Sequence, residues 1–414
     1  MSSDVATMPL EELCEAVIDC PHSTPVWMDQ GVIVLRSSNI RNGRLDLSNP
    51  SFTDEYHYEE RSKRARIQAG DLVITREAPM GEVCLIPENL KCCLGQRMVM
   101  LRPSKNKCHG KYLLYALQSR RVQNQIKSHE GTGSTVSNLR IPVLKELSIP
   151  SPSIAAQRAI AHILGTLDDK IELNRKTNQT LEAMAKALFK SWFVDFDPVI
   201  AKAEGRPTGL SAEISDLFPD SFEDSELGEI PSGWEIGGLE EFLVLQRGFD
   251  LPAPQRIKGA YPVVAASGVS GTHNEAMAFA PGVVTGRSGV LGKVFYVQTD
   301  FFPLNTTLWA KEFRLATPVY GYFLLSDIDF AVFNAGSAVP TLNRNHLGSL
   351  RFPLPPKALV VSFTEVAADL MKRKEGIAAE TSNLSTTRDA LLPKLISGEI
   401  RIPDAEKMLE EVGI

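Results

Sequence analysis

The chain states one pattern twice. Ala69 to Ile86 (AGDLVITREAPMGEVCLI) aligns without gaps onto Ala280 to Val297 (APGVVTGRSGVLGKVFYV), sharing an apolar run, an arginine (Arg76, Arg287) and a glycine (Gly81, Gly292). Gly133 to Pro152 aligns onto Gly336 to Pro355, keeping Gly-Ser-x-Val, three leucines and a closing Pro-x-Pro, and in each copy a long helical pattern then begins. A repeat of about 200 residues is too long for a solenoid unit of roughly 50 at most, so it reads as a duplicated domain followed by a duplicated helix. A pseudo-symmetric molecule of this kind should engage something that also has two halves.

The helical patterns are the sharper of the two signals. Ile160, Leu164, Leu167, Ile171, Asn174, Asn178, Leu181, Ala185, Leu188 and Trp192 recur at alternating steps of four and three in a proline-free stretch from Ile154 to Asp197. That is the seam of a coiled coil. In the second copy Phe363, Leu370, Ile377, Leu384 and Leu391 fall every seventh residue between Pro356 and Pro393, which predicts helices of about 35 to 39 residues, or about 50 to 58 Å. Asn174 and Asn178 inside the seam are read either as fixing register or as chance polar substitutions.

Each globular copy reads as mixed α/β. Short apolar runs at Val32 to Leu35, Leu72 to Thr75, Met98 to Leu101, Val283 to Thr285 and Val294 to Val297 are strands, with a helix at Tyr112 to Gln125 and its counterpart at Tyr320 to Phe330. The acidic stretch Pro198 to Ser232 is expected to connect the first helix to the second domain. The expected domains are 1–152, a helix over 153–197, the connector 198–232, a second domain 233–355, a helix over 356–396 and a tail 397–414.

Charge is more informative in its distribution than in its total. The net charge is −6, yet Lys91 to Lys145 holds 11 Lys or Arg against one acid, whereas Asp195 to Ile230 holds ten acids against two bases. Such a basic segment is either a solvated face or a surface for phosphate, and folding decides which. No apolar run approaches the 18 or so residues of a membrane span, and Met1 to Glu15 lacks the basic and apolar regions of a signal peptide, so a cytoplasmic protein is expected. All six cysteines precede residue 110 without a CxxC pair and read as reduced structural thiols. The seven histidines offer no HExxH.

Catalytic motifs are near misses. Asn49-Pro50-Ser51-Phe52 is similar to the NPPF/DPPY loop of amino-methyltransferases but lacks its second proline, and no glycine-rich turn for a methyl donor accompanies it. Gly286 to Lys293 (GRSGVLGK) has the wrong spacing for a phosphate loop and Val294 where a hydroxyl should follow, so it reads as a hairpin.

Several stretches resemble the specificity subunit of type I restriction-modification systems: Asn174 to Asp197 (NRKTNQTLEAMAKALFKSWFVDFD), the AKAEGRPTGL and DSELGEIPSGW segments, and Thr387 to Ile402 (TRDALLPKLISGEIRI). Val34 to Ile40 (VLRSSNI) and Val143 to Gln157 (VLKELSIPSPSIAAQ) resemble it as well. The resemblance implies an α+β fold: two mixed α/β target-recognition domains in tandem pseudo-repeat, separated by two long antiparallel coiled-coil helices. It implies a non-catalytic chain that reads a bipartite, asymmetric stretch of double-stranded DNA and carries no cofactor of its own. Two modification subunits would supply S-adenosylmethionine binding and adenine methylation; restriction subunits would supply ATP- and Mg²⁺-dependent translocation and cleavage. No membrane partner is implied.

Residue chemistry supplies candidates for that role, because arginine reads guanine through a bidentate fork, asparagine reads adenine, and hydroxyls hold phosphates. In the first domain they are Arg36, Ser38, Asn39, Arg76, Arg97, Thr132, Ser134, Asn138 and Arg140. In the second they are Arg247, Arg287, Ser288, Asn305, Ser337, Thr341, Asn343 and Arg344. The competing classes are a self-sufficient DNA methyltransferase or nuclease, which the missing methyl-donor motif opposes, and a coiled-coil scaffold, which the basic, loop-rich first domain opposes.

Overall fold

The computed structural model describes residues 5–64, 66–128, 138–333, 342, 347–411 and 413. The chain forms two compact units, one of Met1–Arg175 with Ala379–Ile414 and the other of Lys176–Ala378. The boundary falls inside both long helices, so each unit owns half of each.

The first unit is built on a four-stranded sheet in the order Cys14–Asp19, Met98–Pro103, Leu72–Thr75, Val83–Leu85, with every neighbouring pair antiparallel. Leu72–Thr75 is buried on both faces, which explains its unbroken apolar run. Against one face pack the helix Gly110–Gln118 and the long helices, through Tyr112, Leu113, Ile160, Leu164, Leu384 and Leu391. A second sheet, Ser51–Thr53, Val32–Leu35, Cys92–Leu94, joins the last two strands in parallel, and a ribbon pairs Thr7–Pro9 with Ser148–Pro150.

The second unit repeats this plan strand for strand. Its four-stranded sheet runs Leu243–Arg247, Thr307–Phe313, Gly282–Gly286, Val294–Val297; its three-stranded sheet runs Gly268–His273, Tyr261–Ala265, Phe302–Pro303, again with the last pair parallel. The ribbon pairs Glu235–Gly238 with Arg351–Leu354. The duplication read from the sequence is therefore a duplicated topology, down to Gly81 and Gly292, both at positive φ (83° and 79°) in the turn between the last two strands of the sheet. Tyr112 to Gln125, expected as one helix, is two, Gly110–Gln118 and Arg120–Lys127, because the Ser119 side chain caps the second by accepting from the Val122 N–H.

The long helices are Ile154–Phe193 and Lys357–Ser397, of 40 and 41 residues, about 60 Å each. The seam holds: Ile160, Leu164, Leu167, Ile171, Ala185 and Trp192 are buried, as are Phe363, Leu384 and Leu391. Pairing is antiparallel. In the first unit Arg388 donates to Asp168 (2.8 Å), Asn174 Nδ2 donates to Glu380 (3.0 Å) and Lys170 lies 3.3 Å from the same carboxylate. In the second, Lys374 donates to Glu182 at 2.8 Å and Tyr322 also donates to it. Burial alone would raise the Glu182 carboxyl, but these two hydrogen bonds bring it below the usual carboxylate range. The second helix runs on through Pro393, close to the expected bounds of 356–396. The missing N–H costs one helical hydrogen bond, while Leu391, Leu395 and Ile396 on either side are buried and hold the last turn in place.

The acidic stretch 198–232 is folded rather than a bare link. It contains the helix Asp197–Ala203, the turn Ala212–Ser215 and a hairpin of Phe222–Ser225 with Gly228–Pro231, and it buries Val199, Phe218 and Ile230 in the second unit's core.

All six cysteines are free thiols, five of them buried. Burial pushes the Cys14, Cys84, Cys92 and Cys108 thiols up to about 12 and Cys93 to about 11. A raised thiol stays protonated and unreactive below that range. Labelling with a thiol reagent at pH 8 should therefore be slow for the native protein and should reach all six sites only on unfolding; rapid native labelling of Cys84 or Cys92 would contradict the burial.

Candidate nucleic-acid interface

In the first unit, three strand ends meet at one edge of the four-stranded sheet. Asp19 closes the strand Cys14–Asp19, Arg76 and Glu77 follow Leu72–Thr75, and Arg97 precedes Met98–Pro103. Two residues before Arg97, Gly95 packs on the three-stranded sheet, where a Cβ would lie 2.5 Å from the Leu35 carbonyl oxygen. Arg76 is largely buried and its guanidinium is fully committed: Nη1 bonds both Asp19 carboxylate oxygens at 2.9 Å, Nε donates to the Leu139 carbonyl at 3.0 Å and Nη2 to Asn138 Oδ1 at 3.2 Å. Asn138 Nδ2 passes the chain on to Glu77 at 2.8 Å, and the other Glu77 oxygen lies 2.9 Å from Arg97 Nε. His22 Nε2 stands 3.2 Å from Asp19 at the rim.

The equivalent edge of the second unit gathers Arg247, Asp250, Arg287, Ser288 and Asn305. Arg247 Nη2 donates to Asp250 at 3.4 Å, Asn305 Nδ2 donates to the other Asp250 oxygen, and Arg287 Nη1 donates to the Asn305 carbonyl at 3.4 Å. The Ser288 N–H donates to the Thr306 carbonyl. Two backbone contacts are common to both copies: the Leu139 N–H donates to the Arg76 carbonyl (2.9 Å) and the Leu342 N–H to the Arg287 carbonyl (2.8 Å), while the Arg76 N–H donates to the Arg97 carbonyl and the Arg287 N–H to the Thr306 carbonyl, both at 2.8 Å. The segments repeated in the sequence thus lead back to the same edge in each unit.

The structure sorts the candidates into two kinds. Arg97, Arg140 and Arg247 are exposed at or beside these edges, and Arg287, Ser288 and Asn305 are half-buried there. Arg36 and Ser38 are exposed elsewhere, on the short turn Ser37–Asn39, with the Arg36 guanidinium stacked 5.4 Å over Trp27. Asn39 is withdrawn from any surface role: it is buried, accepting from the Arg36 N–H at 2.9 Å and donating to the Asp46 carbonyl at 3.0 Å, so its amide builds the turn instead. Arg76 and Asn138 likewise serve the architecture of the edge. Thr132, Ser134, Ser337, Thr341, Asn343 and Arg344 lie outside the described residues.

The acids Asp19, Glu77 and Asp250 were not among the sequence candidates. The candidates were chosen as arginine, asparagine and hydroxyl groups, and the role of these acids here is to hold cations. The basic segment Lys91 to Lys145 proves to be partly spent in the same way, with Lys91, Arg102, Lys111 and Lys145 paired to Glu55, Asp71, Asp169 and Glu11. Arg120, Arg121 and Lys127 are exposed on the helix Arg120–Lys127, which packs on the hairpin turn through the Gln123 side chain to the Gly81 carbonyl (3.0 Å). The near-miss motifs find structural roles. Ser51 and Phe52 lie in a strand paired with Val32–Leu35, and Gly286 to Lys293 is the turn of an antiparallel hairpin.

Residues 2–183 match the family model described as the type I restriction modification DNA specificity domain. The specificity subunit of the type I restriction enzyme MjaIX from Methanocaldococcus jannaschii is 28% identical over 81% of this chain and 78% of its own length. That of HindI from Haemophilus influenzae is 24% identical over 81% of this chain and 87% of its own. The chain is similar to the specificity subunits of type I restriction-modification systems. The fold agrees: the crystal structure of the type I S subunit from M. genitalium superposes with a TM-score of 0.60 over 95% of this chain and 97% of that one, at 18% identity. In this chain the two sheet edges share a backbone frame and differ in the side chains paired there: Asp19, Arg76, Glu77, Arg97 and Asn138 in one, Arg247, Asp250, Arg287 and Asn305 in the other. Among the described residues no group of three or more His, Cys, Asp or Glu could hold a metal, and no helix is long and apolar enough to cross a membrane.

Proposed function

We propose that this subunit reads a bipartite, asymmetric sequence in double-stranded DNA, each unit recognising one half-site through the edge described above, and that it catalyses nothing itself. The observation that carries this reading is one topology used twice with different side chains at the same edge: Asp19, Glu77, Arg97 and Asn138 in one copy, Arg247, Asp250, Arg287 and Asn305 in the other. Two equal frames with unequal side chains fit two unequal half-sites. In this reading the subunit acts in the cytoplasm with two modification subunits, which bind S-adenosylmethionine and methylate adenine, and with restriction subunits, which use ATP and Mg²⁺. The strand position of Ser51–Phe52 disfavours a self-sufficient methyltransferase. Expression with its modification partner, followed by sequencing of methylated genomic DNA, should give a motif of two different half-sites with an unspecified spacer. A continuous or perfectly symmetric motif would overturn the proposal.

A further inference from the structure

We infer that Arg97 reads a guanine in the half-site taken by the first unit, and that Glu77 is the residue that positions it. The inference rests on the DNA-reading role proposed above and adds a residue, a base and a mechanism to it.

Three features of Arg97 point the same way. Its side chain is 60% exposed, while the Glu77 carboxylate beside its Nε, at 2.9 Å, is only 18% exposed. Glu77 is in turn fixed by Asn138, Asn138 by Arg76, and Arg76 by Asp19, so a chain of four anchored groups ends on one exposed arginine. The carboxylate lies beside Nε as an ion pair, and among the described residues neither terminal nitrogen of the fork has a hydrogen-bond partner. A planar pair of donors kept beside a largely buried carboxylate matches the O6 and N7 acceptors on the major-groove edge of guanine. Less rotamer freedom is then lost when the contact forms.

The backbone supplies an independent sign. Arg97 has φ 65°, in the left-handed region that glycine or asparagine would occupy at lower cost. Its carbonyl is pinned there by the Arg76 N–H at 2.8 Å. An arginine kept in a conformation that disfavours it is kept for its side chain. The second unit repeats the arrangement with different chain positions, since Asp250 receives both Arg247 and Asn305 at the equivalent edge. An acid that holds an exposed arginine and an asparagine amide thus occurs once in each copy.

The test uses the full chain assembled with its modification partner and a duplex bearing the sequenced target. Each guanine of the first half-site is replaced in turn by 7-deazaguanine, which lacks the N7 acceptor. Wild-type complex should lose roughly tenfold in affinity at one of these positions. Arg97→Lys keeps the charge without the fork, and Arg97→Gly relieves the backbone; both should bind the normal and the deaza duplex equally at that position and leave the other positions unchanged. Arg97→Gly should also melt at the wild-type temperature, which a structural role for the side chain would not allow. Glu77→Gln should reduce the deaza penalty to about threefold. A scan without any sensitive position in the wild type, or one that keeps its sensitive position in Arg97→Gly, overturns the inference. So does a uniform loss across all duplexes with a shallower salt dependence, which marks a phosphate contact. A wild-type complex that binds a duplex of scrambled sequence as tightly as the target would instead remove the DNA-reading role, and this inference with it.

Discussion

Phe363→Ala is expected to cost about 3–5 kcal/mol of stability in the second unit. The ring is fully buried and lies within 6.2 Å, centroid to centroid, of Phe189, Trp192, Phe193, Tyr320 and Phe323, mostly edge to face. Truncation would remove the apolar area, leave a cavity lined by rigid rings that collapse poorly, and forfeit the ring–ring interactions together. Three of the four tryptophans, Trp192, Trp234 and Trp309, belong to this unit, so fluorescence during urea unfolding reports mainly on it. The midpoint should fall by about 1–2 M for this substitution and hardly at all for Val366→Ala, a residue 41% exposed on the same helix. Equal shifts for the two variants would mean that the aromatic cluster is not what holds the unit together.

The place of Phe363 shows what the sequence discloses and what it hides. Phe363 and Ile160 stand at equivalent positions of the repeated helical pattern, and both are buried. Periodicity finds such residues because a helix must turn its apolar stripe inward wherever it packs. The duplicated sheets were legible for a related reason: Leu72–Thr75 and Gly282–Gly286 are central strands, and central strands carry continuous buried runs.

Side-chain destination was not legible. Asn39, Arg76 and Asn138 have the chemistry of base readers, yet each spends its polar atoms inside the unit, and only the partners reveal that. Asp19 and Arg76 are 57 residues apart in sequence, a pairing that no local pattern encodes. The order of the stretch 198–232 was not legible either, because a few well-placed apolar residues, Val199, Phe218 and Ile230, anchor a segment whose average composition is acidic and rich in breakers. Pro393 ends a helix by local propensity, but packing of its neighbours outweighs the hydrogen bond it removes.

Lengthening both long helices by four residues, after Asn178 in the first and after Ile377 in the second, is expected to change the spacer of the target and leave both half-sites as they were. The two points face each other in the antiparallel pair: Glu182 meets Lys374 within the second unit and Asn174 meets Glu380 within the first, so the insertions fall between these contacts. Four residues add about 6 Å of rise, close to two base pairs at 3.4 Å each. A four-residue insertion turns the helix by little more than one full revolution, so the buried stripe stays approximately in phase. The reading edges lie far from the insertions in sequence and keep every contact described above, which is why the half-sites should persist. Methylated-motif sequencing of the variant complex should show the same two half-sites with a spacer about two base pairs longer. An unchanged spacer would show that the helices do not set the distance, whereas altered half-sites would show that the edges depend on the helix pair for their shape.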